Sequence, residues 1–368
     1  MHDRIKKIVS VMKEKDVDFL AVFDPSNLFY FSGTSDALLL LVSTKYPPVL
    51  YTLYAFGDTF ALSQSWIKEI VVLRNEYSSS GLEKPHSLES TLKNALKSFE
   101  VEGRLGLIFN KTNAELMNSI KSEFPKLSLV DFSKEVTDMR SIKDEDELNK
   151  ISKAVEITEK SLEYFFSEIR EDMSEKEAVA LISKALWENG CDGLAFDVIV
   201  ASGSNGFNAH HHPTERKIKR GELVIIDVGA KYMGYCSDLT RTFSIGTPNE
   251  KSLKIFNIVL KAQKAAISAF KPGEPAYTPD RAARSVIESA GYGEHFIHRT
   301  GHSFGIDVHE PPSLSPASNT PLKEGQVFTV EPGIYIKNWG GVRVEDDIVV
   351  TSKGAKLFSR PQESLIIL

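Results

Sequence analysis

At 368 residues, 42% hydrophobic and 26% charged, the chain has the balance of an ordinary water-soluble protein, with length for two domains that each bury a core. A formal charge of −6 without any block of Lys and Arg argues against nucleic acid as a partner. Two cysteines, Cys191 and Cys236, are too few for a disulfide framework and point to a reducing, cytoplasmic setting.

The opening stretch, MHDRIKKIVSVMKEKDVDF, is too charged for a signal peptide, and ALLLLV (Ala37 to Val42) is too short to span a membrane. Periodicity predicts a helix over Arg4 to Lys15 and strands at Phe19 to Phe23, Leu38 to Val42 and Val49 to Leu53. Helices follow at Ser87 to Phe99 and Ala114 to Phe124, with strands at Leu105 to Phe109 and Leu127 to Val130. The alternation describes a small α/β domain over residues 1–132. SKEVTDMRSIKDEDE then reads as a polar connector opening a second domain, 133–368.

Leu148, Ile151, Val155, Thr158, Leu162 and Phe165 form one stripe of a long helix. A second helix opens at Ser174, with Glu177 completing a capping box, and stops at Gly190. Extended segments LAFDVIVAS, ELVIIDVG and YCSDLTRTFSIG come next. The same order then recurs: a long helix from Pro248 through Phe270, a shorter one from Thr278 to Gly291, and strands QVFTVEPGIYI and VRVEDDIVV. Asp144 to Ser174 and Pro248 to Thr278 both span 30 residues; Ser174 to Asp227 and Thr278 to Glu331 both span 53. A duplicated helix-helix-hairpin unit with a pseudo-two-fold relation, in an α+β domain, accounts for these matches.

Asp227 and Glu331 occupy equivalent places in that repeat, each after an apolar run, where a charge is costly unless compensated. Each hairpin carries a second acid, Asp238 or Glu345, able to stand beside the first on one face. Along GVRVEDD, Val342 and Val344 point one way and Arg343, Glu345 and Asp347 the other. Four acids on one internal axis repel unless cations sit among them, so this set is expected to hold metal. Seven of the nine histidines fall between His210 and His309, six of them in NAHHHPT and FIHRTGHSFGIDVHE, and read as one metal ligand plus several proton donors. No H-E-x-x-H, nucleophile elbow or phosphate loop is present. Cys236 shares a strand face with Asp238 but reads as an inert buried thiol.

IIDVGAKYMGYCSDLTRTF, FIHRTGHSFGIDVHE, FTVEPGIYI and GVRVEDDIVV closely resemble the pita-bread-fold metallopeptidase family, in its Xaa-Pro dipeptidase (prolidase) and aminopeptidase P branch. NLFYFSG (Asn27 to Gly33) resembles the creatinase-like N-terminal domain of that branch. The resemblance implies a creatinase-like α/β domain followed by a pita-bread domain, with Asp227, Asp238, His302, Glu331 and Glu345 holding two divalent ions. One His among carboxylates is a fairly hard site, which favours Mn, Co or Zn without choosing among them. It maps catalytic or substrate-orienting roles onto His210, His298 and His309; counting back without gaps from RGELVIID selects His210 from the run of three.

On that basis the expected chemistry is hydrolysis of the bond before proline in short peptides, by a homodimer. Asp227 and Asp238 would pair on one ion, His302 would complete the other, and Glu331 and Glu345 could bridge. Glu331 is expected to shuttle the proton, His210 and His309 to donate to the developing oxyanion, and Arg343 to hold Glu345. Ser313 stands where some prolidases carry an arginine that could grip a dipeptide carboxylate, which leaves aminopeptidase P as the alternative. A methionine aminopeptidase would share the ligands but not the separate N-terminal domain. A metal-free creatinase-type hydrolase or an inactive binding protein of the same fold would be expected to lack these acids.

Overall fold

The computed structural model describes residues 2–55, 57–78, 81–84 and 86–368. The chain divides into two compact units, Met1–Arg140 and Ser141–Leu368.

The first unit runs α1 (Asp3–Glu14), β1 (Phe19–Val22), α2 (Pro25–Ser32), β2 (Leu39–Ser43), β3 (Val49–Leu53), α3 (Asp58–Gln64), β4 (Glu69–Leu73), β5 (Glu76–Ser78), β6 (Gly81–Lys84), α4 (Leu88–Ser98), β7 (Arg104–Leu107), α5 (Ala114–Glu123), β8 (Ser128–Asp131) and α6 (Ser133–Ser141). Its six-stranded mixed sheet has the order β4-β3-β2-β1-β7-β8. Phe19, Leu39, Leu41, Leu105 and Leu107 from the sheet meet Leu92, Leu96, Leu116 and Ile120 from the helices in one core. The connector expected from residue 133 is instead helical and belongs to this unit. Arg140 donates to Asn27 Oδ1 at 2.8 Å, and Tyr30 donates to the Met139 carbonyl at 3.3 Å, so α6 is tied to the NLFYFSG helix. Its charged surface had hidden its helicity.

The second unit opens with α7 (Glu145–Glu168) and α8 (Glu175–Glu188), followed by β9 (Gly193–Leu194), β10 (Ile199–Ser202), β11 (Leu223–Val228), β12 (Ala230–Tyr232), β13 (Tyr235–Cys236) and β14 (Leu239–Ser244). It then repeats with α9 (Glu250–Ser268) and α10 (Tyr277–Ser289), β15 (Gly301–Ser303), β16 (Glu310–Leu314), β17 (Val327–Val330), β18 (Gly333–Ile336), β19 (Gly340–Arg343), β20 (Asp346–Thr351), β21 (Gly354–Leu357) and β22 (Ile366–Ile367). The capping box at Ser174 forms as the sequence predicts: Ser174 Oγ accepts the Glu177 N–H, and Glu177 Oε2 accepts the Ser174 N–H.

The duplication is visible in the pairing. β11 pairs with β14 and β12 with β13; β17 pairs with β20 and β18 with β19. Each ribbon changes sheets partway along, so its two ends lie in different sheets, β10-β11-β14-β22 and β13-β12-β9 in the first repeat, β16-β15-β17-β20-β21 and β18-β19 in the second. The repeats are joined by two buried arginines. Arg241 in β14 donates to Asp346 Oδ1 at 2.9 Å and to the Glu345 carbonyl, whereas Arg343 in β19 donates to Asp227 Oδ2 at 2.6 Å.

Helix α7 packs on the first ribbon through aromatics: Phe243 lies edge-on to Phe165 (5.8 Å between centroids) and to Phe166 (5.4 Å). Phe243→Ala removes a fully buried ring from this cluster and is expected to cost about 3–5 kcal/mol. Urea denaturation at fixed metal concentration measures it; a loss under about 1 kcal/mol would show that the cluster collapses to refill the space.

Candidate metal centre and active site

All four acids of the hairpins lie where the ribbons change sheets. Asp227 is the penultimate residue of β11, Asp238 sits between β13 and β14, Glu331 between β17 and β18, and Glu345 between β19 and β20. At such a break the backbone leaves one ladder for another, and the side chain there is free of the alternation that would bury it in an apolar layer. Asp238, Glu345 and His302 offer ligand atoms that all lie within 4.8 Å of one another. His302 Nε2 stands 3.6 Å from both Asp238 Oδ2 and Glu331 Oε1. Gly301 makes this placement possible, because a Cβ there would lie 2.0 Å from the Thr329 carbonyl oxygen.

The surroundings ask for a cation. His302 Nδ1 lies 3.2 Å from the Ser303 carbonyl, which fixes the proton there and leaves the Nε2 lone pair facing carboxylates. Burial pushes the His302 pKa down to about 3, so the ring is a neutral acceptor among acceptors. Burial, then the neighbouring acids, drives the Asp238 and Glu345 carboxyls well above the usual range. Burial likewise raises Glu331, to about 7. Asp227 Oδ1 is buried with no hydrogen-bond partner. One imidazole and four carboxylates with unspent lone pairs fit a divalent cation of hard to borderline character.

Arg343 corrects one expectation. Its guanidinium binds Asp227, not Glu345. Glu345 Oε2 instead accepts from the Thr240 hydroxyl at 2.5 Å, and Thr240 Oγ1 accepts from Arg343 Nε at 3.0 Å. Arg343 therefore reaches Glu345 through Thr240. Its Nη1 also donates to the Tyr335 hydroxyl at 2.9 Å. Asp347 Oδ2 accepts the Asp238 N–H at 2.9 Å. Thr240 and Tyr335 were not singled out from the sequence, although alternation points to both: Asp238 and Thr240, and Glu331, Gly333 and Tyr335, are spaced by two.

A cavity of about 540 Å³ opens onto the acids; His210, His212, His298, Arg299, His302 and His309 are among the residues lining it. The His309 ring packs edge-on against His302 with centroids 4.4 Å apart. His298 is already engaged: Nδ1 lies 2.7 Å from the Arg299 carbonyl and Nε2 lies 2.9 Å from the Tyr335 hydroxyl. With Nδ1 donating, Nε2 accepts from Tyr335, and burial holds the pKa near 4. In the HHH run, His211 Nε2 lies 2.8 Å from Glu175 Oε2. Cys236 is inert as expected, its thiol pushed up to about 12 by burial. Ser313 is the β16 partner of His302.

The raised acids set a pH dependence. A carboxyl with a folded pKa about 7 against an ordinary 4.5 gives metal-free protein stability that is fully present below 4.5 and lost as pH rises through 7. Metal binding needs the same group deprotonated, so metal affinity moves the opposite way and rises with pH. His302, neutral down to about pH 3, contributes nothing to that slope near neutrality. Calorimetric titration with Mn²⁺ in buffers of different ionisation enthalpy should show proton release near pH 6.5 that shrinks by pH 8.5. Uptake of protons, or none exchanged at pH 6.5, would contradict the raised carboxyls.

Comparison with known proteins places this arrangement. Residues 149–352 match the model of metallopeptidase family M24, and residues 4–142 match the creatinase/prolidase N-terminal domain. The chain belongs to the M24 metallopeptidases. It is 37% identical to the Xaa-Pro dipeptidase of Pyrococcus furiosus over 369 aligned residues, covering 100% of both chains. Among solved structures it resembles the Xaa-Pro dipeptidase from Bacillus anthracis (TM-score 0.89, 31% identity, 100% of this chain and 99% of that one). It also resembles the X-Pro aminopeptidase from Thermotoga maritima (TM-score 0.87, 30% identity, 99% and 100%). The fold expectation, a creatinase-like domain plus a duplicated pita-bread domain, is borne out. Among the described residues no helix is long and apolar enough to cross a membrane.

Proposed function

We propose that this protein hydrolyses the peptide bond preceding proline in short peptides, foremost Xaa-Pro dipeptides, with two divalent ions (Mn, Co or Zn) held by Asp227, Asp238, His302, Glu331 and Glu345. The observation that carries the reading is the buried set of one neutral imidazole and four carboxylates opening onto a peptide-sized cavity. A divalent ion in that set supplies Lewis-acid polarisation of the scissile carbonyl and acidifies a water. Glu331, whose carboxyl sits near neutrality before metal enters, takes the water's proton and returns it to the proline nitrogen as the C–N bond breaks. His210 and His309 donate to the carbonyl oxygen as negative charge grows on it. His298, bonded on both nitrogens, orients Tyr335 and Arg343 instead of reaching substrate itself. Arg343 turns the Asp227 carboxylate so that Oδ1 is left for metal. Proline has no N–H to read, so recognition falls to shape and free termini.

The second reading, aminopeptidase P, is favoured by the absence of an arginine at Ser313 and by the likeness to the Thermotoga maritima X-Pro aminopeptidase. Assays of Xaa-Pro against Xaa-Pro-Yaa peptides, with elemental analysis of the loaded protein, test both. Faster turnover of dipeptides with close to two ions per chain supports the first reading; faster turnover of tripeptides supports the second. No turnover of either with metal bound would sink both. The family resemblance also carries a cytoplasmic homodimer, which light scattering on purified protein and fractionation of cells would check.

A further inference from the structure

Glu175, the first residue of α8, has no exposed surface and lies outside the cavity lining. Its Oε1 accepts from the Ser202 N–H and hydroxyl, both at 2.8 Å, and from Asn205 Nδ2 at 3.0 Å. Its Oε2 accepts from the Thr214 N–H at 3.0 Å and hydroxyl at 2.8 Å, and meets His211 Nε2 at 2.8 Å. One carboxylate thus ties both ends of the segment 202–214, which carries His210 and His212. Burial opposes its ionisation, yet the Ser202, His211 and Thr214 donors hold the carboxyl down at about 2.

The second repeat contains a counterpart. Asp280, in the first turn of α10 and 1% exposed, accepts from the Thr300 N–H at 3.1 Å and hydroxyl at 2.9 Å. Arg284, paired with Asp280, donates to the Phe296 and His298 carbonyls at 3.0 Å each. The Thr300 carbonyl accepts the Glu331 N–H at 2.8 Å, and His302 lies two residues beyond. In each repeat, an acid in the opening turn of the second helix fastens that repeat's own histidine segment, and the positive end of the helix dipole favours an anion there.

We propose that Glu175 and Asp280 are positioning residues, one in each repeat and near but not at matching places, Glu175 setting His210 for turnover and Asp280 setting His302 and Glu331 for metal. The proposal rests on the peptidase reading for its first half only. The test compares Glu175→Gln and Asp280→Asn in the full, metal-loaded chain. Glu175→Gln is expected to leave the Mn²⁺ Kd unchanged and to lower kcat on an Xaa-Pro dipeptide by about tenfold or more. In a His210→Ala background the same change should cost less than about twofold, since its effect passes through His210. Asp280→Asn is expected to weaken Mn²⁺ by about tenfold in calorimetry, with or without His210.

A Glu175→Gln protein with wild-type kcat, or one losing the same factor in both backgrounds, overturns the first half; a wild-type Kd in Asp280→Asn overturns the second. Should Glu175→Gln not fold, Asn205→Ala and Thr214→Val each remove part of the same network and must show the same dependence on His210. If the wild-type chain turns over no peptide, the peptidase reading fails by itself. The positioning claim is then read from the His210 ring signal in a ¹H–¹⁵N spectrum, identified by its loss in His210→Ala. A shifted or broadened signal in Glu175→Gln supports the claim, and an unmoved one overturns it.

Discussion

His302→Ala is expected to lower kcat/KM by about a thousandfold or more. Divalent ions in this set would contribute several kcal/mol to the transition state, and each 1.36 kcal/mol is a factor of ten. His302 Nε2 stands between Asp238 and Glu331 and is the only nitrogen donor among the five proposed ligands. Without it the acids repel one another over the gap and their protons compete harder with metal. Two measurements separate this from general damage. A rise in Tm on adding Mn²⁺ is expected of the wild-type chain and should vanish in the variant, while far-ultraviolet circular dichroism stays unchanged. A variant that keeps both the Mn²⁺-dependent rise and its activity would remove His302 from the ligand set.

His210→Ala should cost about a hundredfold in kcat with metal content unchanged, the size expected for one donor to a developing oxyanion. The structure separates it from its neighbour. Both His210 and His211 line the cavity, but His211 Nε2 is committed to Glu175, whereas at His210 it is the backbone N–H that is held, by Asn208 Oδ1 at 3.2 Å. His211→Ala should therefore lower Tm more than His210→Ala does, and kcat less. The reverse pattern, with His211→Ala the more damaging to kcat, would move the donor role to position 211.

Much of the second unit was legible because its signals are local and repeated. The capping box at Ser174, the apolar stripe of α7 and the equal spacings between repeats each correspond to observed elements. The acids were legible because a carboxylate after LVII or VFTV is costly without a partner. What alternation alone misjudged was Arg343. Placing Arg343 and Glu345 on one face of a continuous strand made them neighbours, but β19 ends at Arg343 and β20 begins at Asp346, and across the break the two side chains meet only through Thr240. Glu175 and Asp280 were missed for another reason. Each reads as an ordinary acidic residue of a helix's first turn, and only the long-range fold brings Ser202, Thr214 and Thr300 to them. In the first unit, α2 was not anticipated, although Asp24, Pro25 and Gly33 punctuate it and the structure uses all three, with Gly33 at φ 87°. Helix α6 had a surface too polar for its stripe to show.

The two arginines that cross between repeats have a consequence for how the second unit holds together. Arg241, from the first repeat, neutralises Asp346 of the second; Arg343, from the second, neutralises Asp227 of the first. Each half thus carries the counter-ion for an acid of the other. Separated, either half would expose its apolar ribbon and leave a buried carboxylate without its cation, a penalty of about 3–5 kcal/mol for each broken pair. The two halves are therefore coupled by exchanged counter-ions as well as by packing, and a substitution at either arginine is felt in the repeat that does not contain it.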